Sequence, residues 1–471
     1  MKRYSFILII GLIIIPFSCF IYLFLSHNVG ILAPTKDFNV VLISIDTLRS
    51  DHLSCYGYHR KTTPTIDKIA EKGLIFKNVF APSSWTAPSV VSLLTSVYPI
   101  NHGVVSGINY KINQTLYIQE IFSDELTTLP EILKAHDFTT FGVTSNYHLS
   151  KKFGFARGFD YFDSPPCLSA KEVNEIIYSW KDEIKKSDKF FLWIHYFDPH
   201  YPYYPKLPWI DQYTQKTLTK KLRLSLYETW ESVEQLIPVF KKHPVILSNF
   251  IALYDSEINY VDSSIGELIQ KLELEKNTLI IITADHGEEF TEHDFIGHGE
   301  NLYRETIRVP LIIKLPFSDR KIIIEKQVSL LDVMPTILEA LNIKPPKQTL
   351  GKSLLEKAVL SSLLNNSFLS GRNTSNSNFS ELDTEKTLKS IITPEWKYIY
   401  NYGNNTDELY NIKTDPLELY NLTDKEPEKR NQLRNQLFKW ASNSKKYEAK
   451  KNSFKLSNKE AEELKALGYV R

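Results

Sequence analysis

Asp285-His286-Gly287-Glu288 follows directly on an apolar run, Thr278-Leu279-Ile280-Ile281-Ile282-Thr283. A carboxylate and an imidazole side by side at a strand end can both reach one divalent cation, and glycine permits the sharp turn that must come next. The same residues also make an ordinary turn, so a metal needs further donors. Asp46 offers one. It ends the apolar run Asn39 to Ile45, where an aspartate either caps a helix or adds a second carboxylate. Thr86 precedes Pro88 and the apolar stretch Val90 to Thr95, the arrangement of an N-cap threonine. That position is equally an anion site, because free N–H groups and the helix dipole point forward from it. A hydroxyl held there beside a metal can act as a nucleophile. Histidines complete the set, with His195 and His200 in Trp193-Ile194-His195-Tyr196-Phe197-Asp198-Pro199-His200 and His298 in Gly297-His298-Gly299-Glu300.

Elements that bring such groups together can be read from the same chain. Asn39 to Ile45 is a continuous apolar strand, the pattern of burial on both faces. A helical stretch over Thr65 to Lys72, a strand over Ile75 to Phe80 and a helix over Val90 to Thr95 follow. Thr139 to Thr144, Phe190 to Tyr196 and Thr278 to Thr283 are further strands, with a helix over Ser256 to Leu272 between the last two. Strands alternating with helices predict an α/β fold with a large, mostly parallel sheet. Ligands bind at the carboxyl ends of the strands in such sheets. Asp46, His195 with His200, and Asp285 sit at three of those ends. Leu330 to Leu338 reads as a helix closing the main domain, and Asn365 to Ser380 as an irregular surface loop. The tail, with strand-like Lys397 to Tyr400 and a helix from Glu426 to Trp440, predicts a small antiparallel sheet packed with a helix. The expected division is 1–36, 37–345 for a catalytic domain, and 346–471 for a C-terminal α+β subdomain.

With 471 residues the chain holds one large domain and a smaller one, since single cores stop growing near ~250–300 residues. Hydrophobic residues at 42% and charged residues at 24% mark a globular protein. A net charge of +1 sets up no overall field for nucleic acid, so a charged substrate must be drawn in locally. Of three cysteines, Cys19 lies in an apolar run, leaving Cys55 and Cys167 as one disulfide or two free thiols. Tyr4 to Leu25 carries no charge, a length of roughly 20 residues that spans a bilayer as a helix. Lys2 and Arg3 precede it, which keeps the start in the cytoplasm and sends the remainder across. The expectation is a single-pass signal anchor with an extracytoplasmic catalytic domain, a cleaved signal peptide being the alternative.

Asn39 to Tyr58, with Ile45-Asp46-Thr47-Leu48-Arg49-Ser50-Asp51, resembles the opening strand and loop of the sulfatases of the alkaline phosphatase superfamily. Trp85-Thr86-Ala87-Pro88-Ser89 through Thr95-Ser96, Tyr98-Pro99 and His102-Gly103 resembles their nucleophile segment. Thr283-Ala284-Asp285-His286-Gly287-Glu288 resembles their second metal motif, and Glu408-Leu409-Tyr410-Asn411 with Asp415-Pro416 their C-terminal continuation. The resemblance implies that Asp46, Thr86, Asp285 and His286 surround one divalent ion (Ca, Mn, Zn or Mg). It implies that His200 and His298 act in catalysis and, with His195, face an anionic ester on a glycan or lipid. Whether a second ion occupies Asp198, His200 and His298 stays open. Two departures stand out. Thr86 occupies the position of the Cys or Ser that becomes formylglycine, and Val90 that of the motif's arginine. Thr47 replaces a second aspartate. These changes are similar to the threonine-using branches of the superfamily, so a phosphate diester or phosphonate is favoured over a sulfate ester. A phosphoethanolamine- or glycerol-phosphate-type transferase and a non-catalytic glycan-binding relative are the alternatives.

Overall fold

The computed structural model describes residues 38–105, 109–111, 116–204, 206, 208–213, 233–316, 318–355, 377–384, 386–455 and 457. The expected anchor over Tyr4 to Leu25 lies outside them. Among the described residues no single helix is long and apolar enough to cross a membrane.

The main sheet has eight strands: β1 (Asn39–Ile45), β2 (Leu74–Phe80), β3 (Thr139–Thr144), β4 (Tyr161–Asp163), β5 (Phe190–Tyr196), β6 (Thr278–Ala284), β7 (Arg308–Lys314) and β8 (Ile322–Ser329). Their order across the sheet is β8-β2-β7-β6-β1-β5-β3-β4. β1 pairs in parallel with β5 and β6, and those three strands are buried almost throughout. Continuous apolar runs are what a sheet covered on both faces requires. β7 alone runs antiparallel to its neighbours, β2 and β6. Pro310 falls where its pairing with β2 shifts register between Val309 and Leu311, the kind of irregularity that tolerates a missing N–H. The mostly parallel α/β sheet is therefore as expected.

Helix α1 (Thr86–Thr95) is buried along its whole length, and α2 (Pro244–Leu272) is far longer than the predicted stretch from Ser256. The C-terminal subdomain is a four-stranded antiparallel sheet, β9 (Asn378–Asp383), β10 (Thr387–Ile392), β11 (Lys397–Asn401) and β12 (Thr406–Tyr410), with helix α3 (Pro427–Asn443). Leu433 and Leu437 of α3 join Tyr398 and Leu409 in a small core of its own. The expected irregular loop over Asn365 to Ser380 lies outside the described residues up to 376 and is corrected at its end. Asn378, Phe379 and Ser380 are strand residues, and Asn378 and Ser380 are buried because they bond the Val328 and Ala81 carbonyls. Cys55 and Cys167 are not joined in a disulfide.

Candidate active site

Three parallel strands end side by side, and each delivers polar groups to one point. The chain leaves β1 at Asp46 and turns at Thr47, whose φ of 54° is left-handed. Tyr254 of α2 donates to the Thr47 carbonyl at 2.8 Å and accepts from the Arg49 amide at 2.9 Å, which fixes the turn. Asp46 caps no helix; the short helix after it, Ser50–His52, has Arg49 at its cap. Asp285 and His286 follow β6. Gly287 comes next because the chain must pass the Glu305 carbonyl there: a Cβ would sit 2.0 Å from that oxygen.

Thr86 is the first residue of α1, and Trp85, in extended conformation, holds the cap position. The expectation that Thr86 itself caps the helix is thereby corrected. The hydroxyl is turned elsewhere: Thr86 Oγ1 lies 3.2 Å from His286 Nε2. His286 donates from Nδ1 to the Gly287 carbonyl at 2.9 Å, which leaves Nε2 for the centre. Nε2 stands 3.5 Å from Asp285 Oδ2 and 3.7 Å from Asp46 Oδ1. Both oxygens are buried and have no hydrogen-bond partner. Their sister oxygens are satisfied. Asp285 Oδ1 accepts from the Thr47 and His286 amides at 3.3 and 2.9 Å, and Asp46 Oδ2 accepts from Asn146 Nδ2 at 2.7 Å.

Two buried carboxylates this near each other do not ionise independently. Burial, and then the charge of Asp46, raise Asp285 to about 6. Burial also opposes the charge of Asp46, but the His195 hydrogen bond and the nearby imidazoles more than offset it, so Asp46 stays below the usual carboxylate range. Burial disfavours a charged His286, yet Asp285 and Asp46 still raise it above its ordinary value. The site thus carries a field that attracts positive charge. Two orphaned carboxylate oxygens, an imidazole nitrogen and a hydroxyl are donors suited to one divalent cation. The structure brings Asp46, Thr86, Asp285 and His286 together at this point.

His298 and His200 stand beside this centre, their rings 4.9 Å apart, with His298 4.4 Å from the His286 ring. Burial lowers His200 to about 4 and His298 to about 3. Gly299, φ +79°, lets the Trp85 ring pack against the chain next to His298, since a Cβ there would come within 2.3 Å of the indole. His195 is placed differently. It bonds Ser44 and approaches Asp46 Oδ2 at 3.4 Å, so its contacts favour a role behind Asp46 over one facing substrate. Asp198, named for a second ion, spends Oδ2 on the Ala170 amide at 2.7 Å.

Several residues escaped sequence reasoning. Asn146 and His148 follow β3, and the strand-end rule that found Asp46 and Asp285 would have found them. Glu288 was seen only as part of a motif. Its Oε1 pairs with His298 Nδ1 at 2.8 Å, and burial raises it to about 7.

Fold and site together are those of an ester hydrolase. The Sulfatase family model matches residues 38–343, and the model for the N-sulphoglucosamine sulphohydrolase C-terminal region matches 292–445. The chain belongs to the sulfatase family. It is 23% identical to the uncharacterized sulfatase YidJ of Escherichia coli K12, over 82% of this chain and 83% of that one. A protein solved in complex with its substrate D-glucosamine-2-N,6-O-disulfate aligns with a TM-score of 0.67 at 19% identity, covering 86% of this chain and 98% of the other. Phosphonate monoester hydrolase of Agrobacterium radiobacter aligns with a TM-score of 0.64 at 19% identity, covering 86% and 95%. Enzymes of this family typically use a divalent metal.

Proposed function

We propose that this sulfatase-family hydrolase cleaves an anionic ester through a covalent ester of unmodified Thr86, with a phosphate diester or phosphonate as the favoured substrate. The observation that carries this reading is the Thr86 hydroxyl 3.2 Å from His286 Nε2, beside two carboxylate oxygens that lack partners. Asp46, Asp285, His286 and Thr86 would hold the ion, which when bound lowers the hydroxyl's pKa and neutralises developing charge. Thr86 Oγ gives up its proton to solvent and forms a bond to phosphorus as the bond to the leaving oxygen breaks, and water then cleaves the Thr86 ester and returns the hydroxyl. His298, kept neutral by burial, passes a proton from its other ring nitrogen to the leaving oxygen as Glu288, raised to about 7, supplies one at Nδ1, and His200 lies beside it against the substrate anion.

Phosphorus is favoured over sulfur because the formylglycine route is closed at Thr86 and Val90 is a fully buried core residue, with no guanidinium to offer. The solved phosphonate monoester hydrolase supports that choice, while the sulfated aminosugar bound by the other structural relative supports a glycan-borne ester. We further read residues 1–36 as a single-span anchor that places a catalytic unit, 37–345, and the tail, 346–471, outside the cytoplasm.

Rapid quenching with a phosphonate or phosphodiester substrate, followed by mass spectrometry, tests the reading. A phosphoryl adduct on the Thr86 peptide is expected, with that peptide unmodified at rest. A resting peptide already oxidised, or an adduct elsewhere, would end it.

A further inference from the structure

Ser44 of β1 sits opposite His195 of β5 in the parallel register, and Ser44, Trp193 and His195 are all fully buried. None of the three has a part in the chemistry proposed above. Trp193 Nε1 lies 3.1 Å from Ser44 Oγ. An indole nitrogen only donates, so Ser44 accepts this bond. Ser44 has one proton to give, and two acceptors stand within reach: His195 Nδ1 at 2.9 Å and the Ile194 carbonyl at 3.3 Å. The contact to Nδ1 is the shorter, and the Asp46 carboxylate on the other side of the ring, which only accepts, calls for the ring proton on Nε2. A neutral imidazole that accepts at Nδ1 carries its proton on Nε2. Nε2 is the atom 3.4 Å from Asp46 Oδ2, the oxygen that Asn146 also holds at 2.7 Å. Asp46 Oδ1 is left without a partner and faces His286.

We propose that Trp193 and Ser44 form a directional hydrogen-bond relay that fixes His195 as the Nε2–H tautomer and makes it a positioning residue for Asp46. His195 and Asn146 hold the carboxylate by Oδ2 and reserve Oδ1 for the cation. The inference rests on the reading of Asp46 as a metal ligand. Ligand atoms of Asp46, His195 and Asp285 lie within 4.8 Å of one another, near enough for His195 to bind an ion directly if its proton were on Nδ1. The relay argues otherwise, because a nitrogen that carries the proton has no lone pair to give. His195 stays one step removed from the cation and orients the group that touches it, as partners of metal ligands commonly do.

Two measurements on the full-length protein decide the matter. Two-bond nitrogen–proton NMR of ¹⁵N-histidine-labelled protein, with His195 assigned through His195→Gln, reads the tautomer before and after Zn²⁺ is added to chelator-treated sample. The expected result is Nε2–H in both states, with Ser44→Ala populating the other tautomer. An Nδ1–H ring whose Nε2 resonance shifts on adding Zn²⁺ would make His195 a direct ligand and overturn the relay. Calorimetric titration with Mn²⁺ supplies the second readout. His195→Leu should weaken binding about 10- to 100-fold, whereas His195→Gln, which still presents an N–H to Asp46, should recover most of it. Unchanged affinity in His195→Leu, with Mn²⁺ bound normally by wild type, sinks the relay alone. A wild-type protein that binds no Mn²⁺ sinks the metal reading and the positioning role with it. If His195→Leu does not fold, the tautomer in wild type still decides.

Discussion

Buried charge is handled in opposite ways at the carboxyl ends of the main sheet and in the C-terminal subdomain. In the subdomain, Lys397 and Glu418 are buried and meet at 2.7 Å. Asp407 there accepts from both Arg430 Nε at 2.7 Å and Tyr398 at 2.9 Å. Each charge has its opposite in contact, as the desolvation cost of burial demands. At the sheet ends, Asp46 and Asp285 are just as buried, but each keeps an oxygen with no hydrogen bond, 3.7 and 3.5 Å from His286 Nε2. Packing that tolerates such atoms is compensated by something other than protein. The tail balances its buried charges within the protein, whereas the centre keeps donor atoms of the kind a cation takes.

The largest expected effect falls on the centre. Thr86→Ala should lower kcat by about 10,000-fold or more, the scale of losing a nucleophile, while leaving the fold and most metal binding in place. The side chain is buried at the first turn of α1, where alanine fits without strain. Steady-state kinetics with circular dichroism checks both halves, and full activity would end the proposed mechanism. Thr86→Ser should retain part of the activity, since the hydroxyl remains.

Next in size is a change in the tail. Glu418→Gln leaves the Lys397 ammonium buried without its counter-charge and should cost about 3 kcal/mol of stability. The double variant Lys397→Met/Glu418→Leu should recover most of that, because apolar groups of similar size replace a buried pair at little net cost. Denaturant melts measure both. A single variant as stable as wild type would show that the pairing does not hold this region.

The same carboxylate-to-carboxamide change should have the opposite sign at the centre when metal is absent. Asp285 is raised to about 6 by burial and by Asp46, against about 3.9 for an ordinary aspartate. A carboxyl raised in the folded state contributes most below its unfolded pKa, and that contribution is lost as pH climbs through the folded value. Metal-free Asp285→Asn should therefore be more stable than wild type at pH 7, by up to roughly 3 kcal/mol, and the gap should close near pH 4. Saturating Mn²⁺ should reverse the order, since an ion at 100 times its Kd adds about 2.7 kcal/mol to wild type alone. Thermal melts at the two pH values, with chelator and with Mn²⁺, give the four numbers needed. Equal melting temperatures in chelator at pH 7 would erase the contrast between the regions.

The two regions also differ in how legible they were. β1, β5 and β6 are continuous apolar runs, and a buried parallel strand leaves no other pattern. Once they were placed, the strand-end rule pointed to Asp46 and Asp285, and the helix start at Pro88 pointed to Thr86. The antiparallel course of β7 was not visible, because hydropathy records burial and not direction. β9 was missed for the opposite reason: its buried Asn378, Ser380 and Glu381 look like loop residues in sequence. They are buried because they bond the neighbouring chain, a fact that only tertiary contact supplies. The relay behind Asp46 was hidden similarly, since Ser44 and Trp193 look like ordinary members of two apolar strands.

The smallest expected effect tests whether a satisfied pair can exist inside the unsatisfied centre. Glu288 and His298 meet at 2.8 Å through Oε1 and Nδ1, with the Tyr203 hydroxyl 3.5 Å from Oε2. That pairing leaves the other ring nitrogen of His298 for the leaving group, and Glu288, raised to about 7, can supply a proton at Nδ1 as that nitrogen gives one up. A positioned acid of this kind contributes ~100- to 10,000-fold to a reaction whose leaving group needs protonation. Glu288→Gln keeps the shape and an acceptor oxygen but cannot pass a proton to His298, so a share of about tenfold should be lost. The loss should fall on esters with alkyl or sugar leaving groups and spare a 4-nitrophenyl ester, whose leaving oxygen departs without a proton. Comparing kcat on the two classes isolates this role from simple disruption of the fold. An equal loss on both would make Glu288 a structural partner of His298 and Tyr203, and the acid would have to be sought at His200.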